Sequence, residues 1–138
     1  IKIAGVEKER IIFAKQMPTD EHLQRISLAD LFLDTYPYGA HTTASDAIRM
    51  GLPVITIEGE SFSSRVASSI LHQVNLDDLV TKNINQYKDL AINISNSNNN
   101  YKSIKKKLMN SIKITPLFDS YKFTKNLESI YNKLNMDS

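Results

Sequence analysis

Along the chain, short unbroken apolar runs alternate with longer stretches whose apolar positions recur at helical spacing. Three runs read as strands: Arg10–Ala14, Leu31–Asp34 and Pro53–Ile57. Continuous apolar runs of this length fit strands covered on both faces, as in a parallel sheet. Between them, Asp20–Ser27 and Thr43–Met50 carry helical patterns, the second closed by Gly51 just before Pro53. A third helix is expected over Ser63–His72, and Asp78–Val80 as a short last strand. This alternation argues for an α/β layer sandwich with right-handed connections.

The remainder reads as helical. Gln86–Ser95 places Tyr87, Leu90, Ala91 and Ile94 on one face. Ser95–Asn100 is a polar low-complexity patch, expected to be a loop. Beyond it, Tyr101, Ile104 and Leu108 form a second stripe. A last helix begins near Phe118–Ser120 and carries Tyr121, Leu127, Ile130, Tyr131 and Leu134, so the C-terminal helices span about 85 to 135. No repeat or second domain is visible, and 138 residues with 41% hydrophobic content suit one domain with its own core. Ile1–Gly5 reads as a helix end closed by glycine, so the chain is expected to be a piece of a longer protein.

Composition narrows the function classes. No apolar run approaches the ~20 residues needed to cross a bilayer, and no signal-peptide pattern is present. Cysteine is absent, which rules out disulfides and thiolate metal sites and fits a cytoplasmic location. Net charge is only +2, although ten lysines from Lys82 onward face only Asp89, Asp119, Glu128 and Asp137. A solvated lysine face accounts for that imbalance, since no aromatic residues interleave as in nucleic-acid motifs. Neither nucleic acid nor membrane is expected as a partner. His22, His41 and His72 lack metal-ligand spacing, so no metal is expected. P-loop, GxGxxG and nucleophile-elbow patterns are missing.

The chemistry concentrates in loops. Ligands of a parallel α/β sheet sit beyond the carboxyl ends of its strands. Three segments take that position: Lys15–His22, Thr35–Thr43 and Glu58–Ser64. The second is a Pro/Gly loop running into a helix that opens on His41, Thr42 and Thr43. Such a junction presents unpaired N–H groups, hydroxyls and an imidazole to an anion, naturally a phosphate or diphosphate. The plain alternative is Thr43 as N-cap with Asp46 as its capping-box partner. A helix end contributes about 0.3–1 kcal/mol to a bound anion, and up to ~2 when partly buried. Micromolar affinity needs about 8 kcal/mol, so other loops must contribute.

His22 and Arg25, three apart on one helix face, could stack on a base and hydrogen-bond its carbonyl, or simply be surface residues. Glu58–Arg65 could line the pocket, or form a turn with Ser63 or Ser64 as N-cap and Arg65 as a structural anchor. His72 reads as a dipole partner at a helix C-terminus.

Together, Ala29–Thr35, His41-Thr-Thr with Asp46, Gly51–Ile55 and Gly59–Ala67 resemble the C-terminal catalytic region of the O-GlcNAc transferase and SPINDLY family. The likeness extends upstream through Arg10–Phe13 and Glu21–His22, and more loosely downstream through Gln86–Tyr87, Pro116–Phe118 and the final helix. It implies a Rossmann-like parallel sheet, the C-terminal half of a GT-B glycosyltransferase, incomplete at its N-terminus. The whole chain would be one nucleotide-sugar-binding domain fragment.

Members of that family are inverting enzymes. They move a sugar, GlcNAc in this reading, from a UDP-sugar (GDP-fucose in some plant members) to Ser or Thr of proteins. By this resemblance His22 would stack near uracil and Arg25 would contact the base. His41, Thr42 and Thr43 would hold the diphosphate, and Asp46 the ribose hydroxyls. The chain departs from the family pattern at Thr19, where a lysine is common, and at Ala40, where glycine is usual.

No catalytic residue is expected in this segment. The acceptor protein and general base would belong to an upstream half, so no turnover is expected from the chain alone. Two strands of the family's sheet would fall between Ile11–Phe13 and Leu31–Leu33 and be missing here, leaving open edges. Alternatives are a non-catalytic nucleotide-binding or sensing module, or another GT-B enzyme such as a UDP-sugar epimerase.

Overall fold

The unbroken apolar run after Leu52 is buried on both faces. Val54–Ile57 forms a strand (β2) with every residue buried. The computed structural model describes residues 5–136, and within them β2 lies between two short parallel strands, β1 (Phe32–Leu33) and β3 (Val80–Thr81). Phe32 pairs with Val54 and Leu33 with Ile55 on one side, Thr56 with Val80 and Ile57 with Thr81 on the other. Parallel neighbours need a crossover. Helix α2 (Thr42–Arg49) makes the first and helix α3 (Val66–Gln73) the second. Helix α1 (Thr19–Ser27) precedes the sheet, and α4 (Ile84–Asn96), α5 (Asn98–Ile112) and α6 (Ser120–Met136) follow it.

One apolar cluster joins these elements. Ala47 and Ile48 of α2, Leu71 of α3, Ile94 of α4 and Leu108 of α5 close on Val54 and Ile55. Tyr87, Leu90, Ala91, Tyr101 and Ile104 pack around it, as their helical spacing predicts. Gly51 ends α2 at φ +74°, the left-handed geometry that favours glycine after a helix. Among the described residues no helix is long and apolar enough to cross a membrane.

Four expectations need correction. Arg10–Ala14 is not a strand: Lys8–Arg10 is a single 3-10 turn, residues 11–18 have no regular structure, and Ile12 and Phe13 are 86% and 87% exposed. A strand exists only by pairing, and no described residue offers this run a ladder. The outer edge of β1 is likewise unpaired among the described residues. Asp77–Leu79 is a 3-10 turn that buries Leu79, which shifts the last strand on to Val80–Thr81.

Ser95–Asn100 is no loop. Ser97 alone separates α4 from α5, its hydroxyl accepting the Asn100 N–H at 3.3 Å, so the asparagines enter the first turn. The helix expected over Ser63–His72 is divided into a 3-10 turn, Phe62–Ser64, and α3. The helix end expected over Ile1–Gly5 lies, but for Gly5, outside the described residues.

Candidate functional site

Past β1 the chain turns through Thr35–Ala40 before α2 begins. The Thr35 hydroxyl donates to the Tyr38 carbonyl at 2.7 Å, and the Tyr36–Pro37 peptide is cis. Buried Asp34 ties the two ends of this loop, accepting the N–H groups of Thr35 at 2.8 Å and Ala40 at 2.7 Å. His41 holds the N-cap position of α2 with non-helical φ −111° and ψ −93°, so Thr42 and Thr43 are already helical. Thr43 therefore cannot be the cap, and no hydrogen bond joins it to Asp46 among the described residues.

That correction leaves the start of α2 without a side-chain cap. The first return bond of α2 runs from the Ser45 N–H to the His41 carbonyl at 3.1 Å. The N–H groups of Thr42, Thr43 and Ala44 are thus left over at the helix start. Both threonine hydroxyls are exposed and have no partner among the described residues. A cleft of about 580 Å³ opens over these groups, lined among others by Asp34, Thr35, Tyr38, His41, Thr42 and Thr43. The half-buried His41 ring stacks on Tyr38 at 5.2 Å and 15° and meets Phe62 edge-on at 5.9 Å. Its Nε2 lies 3.4 Å from the Ser63 carbonyl, which accepts when the ring proton is on that nitrogen.

On α1, His22 and Arg25 touch, as their spacing predicts. The Arg25 guanidinium donates to His22 Nδ1 at 2.8 Å and to the Lys15 carbonyl at 2.9 Å. Arginine only donates, so His22 Nδ1 accepts and the ring proton sits on Nε2. Helix α1 packs on α2. Neither His22 nor Arg25 lines the 580 Å³ cleft, and no hydrogen bond or ring contact joins them to His41, Thr42 or Thr43 among the described residues. Asp46 sits one turn into α2, half-buried, its carboxylate without a partner among the described residues. The six residues form two clusters on adjacent helices.

The third loop meets the second where the Gly39 N–H donates to the Ser63 carbonyl at 3.0 Å. Its serines are used within the turn: Ser64 donates to the Ser61 carbonyl at 2.9 Å, and the Ser61 hydroxyl donates to Ser64 Oγ at 3.0 Å. Neither caps α3. Arg65 holds the N-cap position of α3, and its exposed guanidinium has no partner among the described residues, so it anchors nothing there. Arg65 also closes the preceding 3-10 turn and is exposed.

Beyond the loop, Glu58 pairs with Lys82 and accepts the Ser68 hydroxyl at 3.2 Å; the Lys82 bond holds its carboxyl below the usual carboxylate range. His72, in the last turn of α3, pairs with Asp77 at 2.5 Å and lowers the Asp77 pKa. No group of three or more potential metal ligands occurs among the described residues. Sequence reasoning missed Tyr38 and Phe62 as the walls of His41, and Asp34 as the loop clasp. The signal for Asp34 was an aspartate closing an apolar run before a Pro/Gly loop, where a short carboxylate bonds nearby backbone.

Comparison with known proteins shows what the chain is similar to. Glycosyl transferase family 41 matches residues 1–127. The chain is 33% identical over 131 residues to a probable UDP-N-acetylglucosamine–peptide N-acetylglucosaminyltransferase SPINDLY of Solanum lycopersicum, covering 94% of this chain and 14% of that protein. A UDP-N-acetylglucosamine–peptide N-acetylglucosaminyltransferase of Caenorhabditis elegans is 29% identical over 130 residues, covering 94% of this chain and 11% of its own length. An O-GlcNAc transferase mutant of Thermobaculum terrenum superposes with TM-score 0.88 and 30% identity, over 96% of this chain and 25% of that one. The α/β fold with its parallel sheet is therefore that of the matching quarter of the transferase. The chain belongs to glycosyl transferase family 41.

Proposed function

We propose that this chain is the donor-binding half of an inverting protein glycosyltransferase. In this reading it acts in the cytoplasm and moves N-acetylglucosamine from a UDP-sugar to Ser or Thr hydroxyls of proteins. One observation carries the reading: the leftover N–H groups of α2, two free hydroxyls and the His41 imidazole meet at one cleft. A diphosphate has the charge and acceptor oxygens to use them all. As the sugar–phosphate bond breaks, negative charge grows on the diphosphate, and donors fixed in advance stabilise that charge without reorganising. Tyr38 and Phe62 hold the His41 ring in such a fixed position.

Magnitudes assign the other cluster its part. The helix end contributes up to ~2 kcal/mol. Each hydroxyl bonded to a charged phosphate contributes about 1.5–3 kcal/mol. The base and ribose supply the remainder of the roughly 8 kcal/mol that micromolar binding requires. Arg25, braced by Lys15 and His22, offers its other N–H groups to a base carbonyl, and the His22 ring offers a stacking face. Asp46 accepts from ribose hydroxyls. Charge neutralisation rests on the helix end, hydroxyls and imidazole, with no metal assigned.

Inversion requires the acceptor hydroxyl to attack from the face opposite the diphosphate. The acceptor and its general base therefore belong across the cleft, on residues outside this chain, and the isolated chain should not turn over. The test is calorimetric titration of UDP, UDP-GlcNAc and GDP into the full-length protein, beside an assay of transfer to Ser/Thr peptides. UDP binding with transfer is expected. Binding without transfer would favour a sensing module, and UDP-sugar turnover without a protein acceptor an epimerase.

A further inference from the structure

Asp34 is 6% exposed, and every bond to its side chain comes from a donor. Oδ1 accepts the Thr35 and Ala40 N–H groups, closing the loop on one oxygen. Oδ2 accepts the Thr56 hydroxyl at 2.6 Å. Thr56 belongs to the central strand, is 1% exposed, and its carbonyl accepts the Thr81 hydroxyl of β3 at 2.8 Å. The Asp34 carbonyl accepts the Tyr87 hydroxyl of α4 at 2.9 Å. The carboxylate is thus tied to the sheet on one side and gathers the loop on the other.

The fit is close at Gly39. A Cβ there would stand 3.0 Å from Asp34 Oδ2 and 3.2 Å from the Ser63 carbonyl. The loop backbone therefore lies flat against the carboxylate. Ala40 is followed directly by His41, the first residue of the anion cradle. Wherever the Ala40 N–H is pinned, His41, Thr42 and Thr43 follow.

We infer that Asp34 is the positioning residue of the donor diphosphate site: through the Ala40 N–H it sets where His41–Thr43 stand relative to the sheet. This deepens the donor-site reading above and rests on it. Three donors converge on the group, and only a side chain rich in lone pairs satisfies them all. Asparagine keeps one oxygen for the two loop N–H groups and turns its NH₂ toward Thr56, whose hydroxyl rotates to accept. Alanine keeps neither contact.

The experiment uses the full-length protein with UDP and uridine as probes, adding kcat and KM for UDP-GlcNAc. Asp34→Ala should weaken UDP about tenfold or more, as expected for losing bonds to a charged group, and raise KM for the donor. Uridine affinity, which draws on His22 and Arg25 and on Asp46 a turn beyond the pinned segment, should change by less than about twofold. Asp34→Asn should recover most of the lost UDP affinity. Should Asp34→Ala fail to fold, Thr56→Val replaces it, with UDP affinity falling severalfold, uridine spared and Thr56→Ser restoring binding.

Equal losses for UDP and uridine would reduce Asp34 to a purely structural role. Asp34→Asn abolishing kcat at unchanged UDP affinity would place it on the reacting groups instead. Either result overturns the inference, as does an unchanged UDP affinity in Asp34→Ala or in Thr56→Val. A wild-type protein that ignores UDP sinks the donor-site reading itself, and this inference with it.

Discussion

Replacing Thr42 and Thr43 together by valine removes two hydroxyls from the anion cradle and leaves its N–H groups in place. Both residues are exposed, neither caps α2, and neither hydroxyl has a partner among the described residues. Stability should therefore move by less than about 0.5 kcal/mol. Binding should move far more. Two hydroxyls donating to phosphate oxygens are each worth about 1.5–3 kcal/mol, so even the lower end sums to about 3 kcal/mol. That loss is a factor of roughly 100 in the UDP dissociation constant. UMP presents one phosphate and cannot span both contacts, so at the same lower end it should lose about tenfold, an order of magnitude less than UDP. Calorimetric titration of UDP and UMP into wild-type and variant full-length protein, with melting temperatures alongside, measures both quantities. Equal losses for the two ligands, or no loss at an unchanged melting temperature, would refute the diphosphate assignment.

His22→Ala should weaken UDP, UMP and uridine by a common factor, about 1–3 kcal/mol for a lost stacking face; titrations showing a phosphate-dependent loss would contradict the base assignment. Lys82→Met should lower stability at neutral pH by less than about 1 kcal/mol, because the lysine of the Glu58 pair is exposed to solvent. Since Lys82 depresses the folded pKa of Glu58 below 4.5, that contribution is present above pH 4.5 and disappears as pH falls through the folded value. A gap in melting temperature that persists unchanged in strong acid would count against the linkage. Ile55→Ala, at a site with 0% exposure in the central strand, should cost about 2–5 kcal/mol in denaturant unfolding, and a cost under 1 kcal/mol would mean that β2 is not the core's centre.

The periodicities that point inward were legible. The run at β2, the Ala47–Ile48 face of α2 and the positions of Leu71, Ile94 and Leu108 all meet in one cluster. What misled was whatever depends on a partner the local pattern does not contain. Ile11–Phe13 has strand composition but nothing to pair with among the described residues, and composition cannot report pairing. Ser97 and Thr43 show the same limit at helix ends. Runs of small polar residues suit both loops and first turns, and the choice falls to backbone dihedrals. In the site, the His22–Arg25 contact follows from spacing alone. The Asp34–Thr56 bond joins residues 22 positions apart, and the Tyr38–His41–Phe62 contact needs two loops folded together, so neither shows in a local window.

The anion cradle depends on the core. Helix α2 has only eight residues, too few to persist alone in water. It is held by burying Ala44, Ala47 and Ile48, and by the Leu52 N–H returning to the Ala47 carbonyl at 2.8 Å. The packing that holds the helix also turns its N-terminus and unpaired N–H groups toward the cleft before any ligand arrives. Phosphate binding, on this account, depends on backbone and core as well as on the two threonine hydroxyls. The proposed base recognition would have a different foundation, since His22 and Arg25 project from a helix with no buried residue and brace each other. Substitutions on α1 can therefore alter which nucleotide is preferred at little cost to the fold. Changes that loosen Ile48 or Asp34 should weaken binding of every diphosphate, whatever its base.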